Sequence, residues 1–138
     1  YKWKLNENHL KSDCSIYVNQ MTKITTFPWG ESALVTGNNE SQTKIVYYKV
    51  KPRHMIPFAI HEYRSEHIII INGIAEATLG EGKITYSNNC QFFIPPSVKH
   101  SIYNKSNDDL TFYEIQVGTP NAKNKLYNLS EYDNTFTH

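Results

Sequence analysis

The stretch "IHEYRSEHIIIING", residues 60–73, decides how this chain is read. Its first half sets a histidine, a carboxylate and a second histidine into residues 61–67, and its second half is an isoleucine run, Ile68 to Ile71. Four β-branched residues in succession suit a buried strand. The run is far too short for the roughly 20 apolar residues that span a bilayer. A core strand that opens with titratable groups needs a reason for carrying them. His61 and Glu66 are five positions apart, so in one flat strand they would point to opposite faces. They meet on one side only across a bend, and "YRSE" is the expected place for it.

Outward from this stretch the sequence alternates short β-rich runs with turn-formers, and no segment sustains an apolar period of 3.6. Strands are predicted at "KIVYYKV" (44–50), "FAIHEY" (58–63), "HIIIINGIAEATL" (67–79), "KITY" (83–86), "QFFIPP" (91–96), "HSIYN" (100–104) and "LTFYEIQV" (110–117). The segments between them carry the Gly, Pro, Asn and Asp that tight turns need. The pattern is all-β, a sandwich or barrel. Asn72-Gly73 admits two readings, a type I′ hairpin turn or one long strand bent at glycine. The expected organisation is a single domain over 1–138, with an N-terminal arm or edge strands in 1–38, a barrel in 39–118 and a tail in 119–138. A short helix anchored by Leu126, Tyr127 and Leu129 is expected in that tail.

Composition narrows the function classes. The chain has 138 residues, enough for one core, and its 14 basic and 13 acidic side chains leave a net charge of +1. No global field draws it to nucleic acid or an anionic membrane, so an anionic ligand must be held by local charge. Cys14 and Cys90 are too few and too far apart for a disulfide scaffold or a zinc ribbon. With no secretory leader in view, the expected setting is the cytoplasm. The first residue is Tyr1 rather than methionine, which is consistent with a piece of a longer parent.

Taken singly, each histidine reads as a surface or hydrogen-bonded residue. Three groups change that reading together: His61, Glu66 beyond the bend, and His100 after the proline turn "PPSVK". Two imidazoles and one carboxylate suit Zn²⁺, Fe²⁺, Mn²⁺ and related ions. The same trio is the facial triad of non-haem Fe(II) oxygenases. Arg64 and Lys99 flank these positions, Arg64 as a fork for phosphate and Lys99 as a point charge. His67 is a candidate acid-base group, although strict alternation turns it away from Glu66. Tyr47, Tyr48, Tyr103 and Tyr113 are candidates to face a lumen and stack on a sugar.

The spacing H-x-x-x-x-E from His61 to Glu66, Gly73 beyond it, and P-x-x-x-x-H-x-x-x-N at Pro95, His100 and Asn104 together resemble the two motifs of the cupin superfamily. "FPWG" (27–30), "KP" (51–52), "RSEH" (64–67), "FIPPSVKHSIYN" (93–104) and "YEIQVG" (113–118) are similar to the type II mannose-6-phosphate isomerase domain. That domain often forms the C-terminal part of bifunctional enzymes that also carry mannose-1-phosphate guanylyltransferase. The resemblance implies a cupin double-stranded β-helix, or jelly-roll barrel, with a metal at its mouth held by His61, Glu66 and His100. It implies interconversion of mannose 6-phosphate and fructose 6-phosphate, with Arg64, His67 and Lys99 as catalytic candidates. Arg64, Lys99, Tyr63 and Asn104 are the corresponding candidates for binding substrate. Zinc is the expected ion, with Fe, Mn, Co and Ni as alternatives.

The chain departs from the family's pattern at several points. Ala59 stands where the family has a glutamine ligand, which leaves a metal-free protein open. Arg53 and Ser97 replace motif glycines, the family's histidine-rich triplet reads His61, Glu62, Tyr63, and "TPNAKNKLYN" follows "EIQVG" in place of an acidic pair and an arginine. The alternative functions are a non-catalytic cupin that binds a carbohydrate or nucleotide sugar, and an iron cupin oxygenase. A homodimer that covers exposed barrel edges is the expected assembly.

Overall fold

The computed structural model describes residues 23–38 and 40–119, in which ten strands follow one another. They are β1 (Ile24–Phe27), β2 (Gly30–Thr36), β3 (Thr43–Val50), β4 (Met55–Ala59), β5 (Arg64–Asn72), β6 (Ala75–Leu79), β7 (Gly82–Tyr86), β8 (Gln91–Ile94), β9 (His100–Asn104) and β10 (Leu110–Gly118). No helix occurs among the described residues, and the expected C-terminal helix and most of the expected N-terminal arm lie outside them. All pairings are antiparallel, in a six-stranded sheet ordered β1-β2-β3-β10-β5-β8 and a four-stranded sheet ordered β4-β9-β6-β7. Their inner faces share one apolar cluster. Val50, Ile68, Ile70, Ile94, Leu110 and Phe112 come from the larger sheet, and Ala75, Ala77 and Ile102 from the smaller one.

The all-β expectation holds, with three differences in detail. β5 and β6 do not pair with each other but lie in different sheets, so Asn72-Gly73 is not a hairpin. The chain bends there instead, and Gly73 makes it possible with φ at 104°, a conformation that a side chain disfavours. An added Cβ would also lie 3.1 Å from the Leu110 Cα. The expected strand at 58–63 is displaced upstream to β4 (Met55–Ala59), so His61 lies in a loop. The bend that turns it toward Glu66 falls at residues 60–63, just ahead of β5. Lastly, β2 pairs along β3 as an interior strand of the larger sheet, with β1 at the edge.

β10 is the axis of the larger sheet, paired on one side to β3 and on the other to β5. Alternation turns Leu110, Phe112, Glu114 and Gln116 inward, and all four are buried. Register then stacks the inner face in rows. Tyr48, Phe112 and Ile70 form one row, Val46, Glu114, Ile68 and Phe92 the next, and Lys44, Gln116, Glu66 and Ile94 the last. The sheet is apolar in depth and turns polar toward one end.

Candidate functional site

At that polar end the two sheets enclose a cavity of about 580 Å³. Glu66 enters it from the third residue of β5, with only 2% of its surface exposed. His61 reaches it from the loop after β4, and His100 from the first residue of β9 in the opposite sheet. His61 Nε2 lies 3.0 Å from Glu66 Oε1 and His100 Nε2 lies 3.5 Å from Oε2. One ligand atom from each of the three residues lies within 4.8 Å of the others. Of the isoleucine run only Ile68 and Ile70 are packed in the core, where they hold the backbone of Glu66 in place, while alternation leaves Ile69 half-buried and Ile71 is exposed.

Backbone contacts fix the two imidazoles. The Ser97 N–H donates to the His61 carbonyl at 2.7 Å, which ties the proline turn before β9 to the histidine loop. The His100 Nδ1 contact with the Val98 carbonyl, at 2.8 Å, assigns the proton to Nδ1 and leaves Nε2 as an acceptor facing the cavity. Two imidazole nitrogens and a carboxylate at this spacing fit a divalent transition ion, so the cluster could hold one.

Electrostatics follow burial. Desolvation would raise the Glu66 pKa, but the hydrogen bond from His61 and the positive charges of His100, His61 and Arg64 outweigh it and hold the carboxyl at about 2. His100 is lowered, chiefly by burial, which favours the neutral imidazole a metal requires. Glu114 is raised well above the ordinary carboxylate range, first by burial and then by the Glu66 charge and its contact with that carboxyl. Gln116 donates to Glu114 Oε1.

Of the residues singled out from the sequence, His61, Glu66, His100 and Arg64 converge on this cavity. His67 does not reach it. Its side chain is on the opposite face of β5, in the row of Phe93 and Ile115, as alternation dictates. Lys99 is exposed, with Nζ 4.7 Å from the centroid of Phe58, a residue of the cavity wall. Tyr63 is 55% exposed and does not line the cavity. Asn104 is fully buried and ties strands together: its Nδ2 donates to the Val50 and Asp108 carbonyls, and its Oδ1 accepts from Ser106. Among the four tyrosines only Tyr48 lines the cavity, stacked on Phe112 with ring centroids 5.0 Å apart.

Sequence reasoning missed Lys44, Glu114 and Gln116, all of which line the cavity. A signal was there for two of them. In "LTFYEIQV" every second residue from Leu110 belongs to one face, and that face changes from Leu110 and Phe112 to Glu114 and Gln116. Polar residues continuing an inward apolar series mark the point where a barrel core becomes a binding site.

Residues 9–131 match the family model described as mannose-6-phosphate isomerase C-terminal. The chain belongs to this family. Among curated relatives of the isomerase C-terminal family, it is 33% identical over 106 residues to a mannose-1-phosphate guanylyltransferase of Salmonella muenchen, covering 76% of this chain and 22% of that protein. It is 30% identical over 92 residues to the alginate biosynthesis protein AlgA of Pseudomonas fluorescens, covering 67% and 19%. The chain thus spans about a fifth of the length of these relatives. Solved structures agree on the fold. KdgF from Halomonas sp. matches with a TM-score of 0.66 at 15% identity, covering 77% of this chain and 94% of that one. A Klebsiella pneumoniae protein with a double-stranded β-helix domain matches with a TM-score of 0.64 at 18% identity, covering 79% and 92%. The cupin architecture expected from the motifs is the one the chain adopts.

Proposed function

We propose that this domain is a metal-dependent sugar-phosphate isomerase acting on mannose 6-phosphate and fructose 6-phosphate. The observation that carries the proposal is the convergence of His61, Glu66, His100 and Arg64 in one cavity, in a chain of this family. Its volume of about 580 Å³ suits a hexose phosphate. Trp29, Tyr48 and Phe58 give it an apolar wall for the faces of a sugar. Ser101 Oγ and Gln116 Oε1 are buried atoms with no hydrogen-bond partner among the described residues, suitably placed for sugar hydroxyls.

Aldose-ketose exchange moves a proton between carbons 1 and 2 and places charge on an enediolate. A bound divalent ion would supply Lewis-acid polarisation of the two oxygens, an effect of several kcal/mol. His61, Glu66 and His100 would hold that ion, with zinc the leading candidate. Arg64 and Lys44 offer cationic groups to the phosphate, and Lys44 lines the cavity with its pKa lowered, first by burial and then by the Arg64 charge. Glu114, whose pKa is raised well above the ordinary carboxylate range, first by burial, is the cavity's candidate for carrying the proton between carbons.

The test is a coupled assay for fructose 6-phosphate after loading with Zn²⁺, Co²⁺ or Mn²⁺, with elemental analysis and His100→Ala as the control. Turnover with each ion that binds, lost in His100→Ala, is expected. A loaded protein that makes no fructose 6-phosphate would end the isomerase reading. A second reading, a non-catalytic cupin for a sugar phosphate or nucleotide sugar, is favoured by Ala59 at the position of the family's glutamine ligand. Tight binding of either ligand in chelator, without turnover, would support it.

A further inference from the structure

The Arg64 side chain turns into the cluster rather than away from it. Its Nη2 lies 3.0 Å from Glu66 Oε1, 2.8 Å from His61 Nε2 and 3.2 Å from His61 Nδ1. Since Nε2 is itself 3.0 Å from Oε1, the guanidinium nitrogen, the imidazole nitrogen and the carboxylate oxygen form a nearly equilateral triangle. Nε2 carries one proton or one lone pair, so it hydrogen-bonds to the carboxylate or to the guanidinium and not to both. One corner of the triangle is always poorly served. An ion joined to Nε2 and Oε1 at the usual 2.0–2.2 Å would lie within about 4 Å of Nη2 by geometry alone. Two positive centres so close in a buried site repel strongly, and both draw on the same carboxylate.

We propose that Arg64 is a built-in counter-ion for Glu66 that competes with the divalent metal, so that the ion binds only as the guanidinium leaves the carboxylate. This rests on the reading of His61, Glu66 and His100 as the metal site. It accounts for a carboxylate that is nearly inaccessible yet charge-paired by a neighbouring guanidinium. In metal-free protein the guanidinium neutralises the carboxylate. In the metal-bound form it is released into the cavity, where a substrate phosphate can take it.

The test compares wild type, Arg64→Gln and Arg64→Lys for Zn²⁺ and Co²⁺ affinity by competition with a chromophoric chelator, together with the Co²⁺ visible spectrum and thermal unfolding with and without ion. Arg64→Gln should bind the ion about tenfold more tightly or better, within the range ordinary for coupled sites. Arg64→Lys, which keeps a cation, should fall between it and wild type. The melting temperature of Arg64→Gln should drop without metal and gain more from Zn²⁺ than wild type does. If Arg64→Gln folds only with Zn²⁺, that dependence also supports the competition. Equal or weaker affinity in Arg64→Gln overturns it and leaves the metal site standing, as does a variant that stays unfolded with Zn²⁺ while wild type binds. If no variant binds either ion, the metal reading falls and the competition falls with it.

Discussion

At the scale of single residues, Glu66 sets the terms. A carboxylate this deeply buried persists in ionised form only because Arg64 and the two imidazoles surround it. Its pKa is depressed from 4.5 to about 2, so its contribution to stability is complete above pH 4.5 and is lost as the pH falls toward 2. His100 acts in the same direction at higher pH. Its lowered pKa favours the neutral ring, so acidification below 6.5 asks the fold to give up an uncharged buried imidazole. Glu114, with its pKa raised, carries a proton into the fold, and its share is lost as pH rises through that value. His100 and Glu114 therefore oppose each other between pH 6.5 and 4.5, and metal-free protein should lose stability chiefly below pH 4.5, as read by urea titration. Glu66→Gln should cost about 3 kcal/mol at neutral pH, as when one member of a buried ion pair is removed. The variant should also show a flatter curve below pH 4.5 than wild type. Parallel curves for the two proteins would contradict this account of Glu66.

At the scale of elements, the loop that presents His61 is held from two directions by backbone. Thr119 N–H donates to the Tyr63 carbonyl at 3.0 Å, and Gly118, at φ 144°, passes so near that an added Cβ would lie 2.2 Å from that oxygen. Gly118→Ala must push Tyr63 and its neighbour Arg64 aside. A loss of about 2 kcal/mol in stability is expected, with weakened Zn²⁺ binding, because a misplaced loop misplaces a ligand. The other tether gives the opposite prediction. Ser97 holds φ at 64°, where a side chain costs roughly 1 kcal/mol, and the family's motif has glycine there. Ser97→Gly retains the N–H bond to His61 and should stabilise the protein by up to about 1 kcal/mol in urea unfolding. A destabilised Ser97→Gly would mean that its hydroxyl, 3.5 Å from the Glu62 carbonyl, outweighs the backbone cost. Arg53, at φ 61°, also stands at a family glycine position, but its guanidinium donates to Asn107 Oδ1 at 3.0 Å and offsets part of that cost.

At the scale of the whole molecule, the barrel closes through pairings between distant segments. β10 joins β3 to β5, and β9 lies between β4 and β6. Loop-closure entropy is spent before such contacts form, so refolding should take milliseconds to seconds, and stopped-flow fluorescence of Trp29 and its surroundings would read it. Microsecond refolding would be inconsistent with this topology. Much of the molecule was legible beforehand. β9 and β10 occupy the segments that alternation marked, and His61, Glu66 and His100 meet, as the resemblance to the cupin motifs implied. What periodicity fixed was local: strand against turn, and one face of a strand against the other, because those depend on a side chain's near neighbours in sequence. The bend at Gly73 stayed ambiguous for the same reason, since a hairpin and a strand changing sheets share their local chemistry. Only the tertiary structure could place Lys44, Gln116 and Glu66 in one row, or fold Arg64 onto Glu66 rather than outward. Those outcomes depend on register between segments tens of residues apart and on competition among charges that burial brings within a few ångströms of one another.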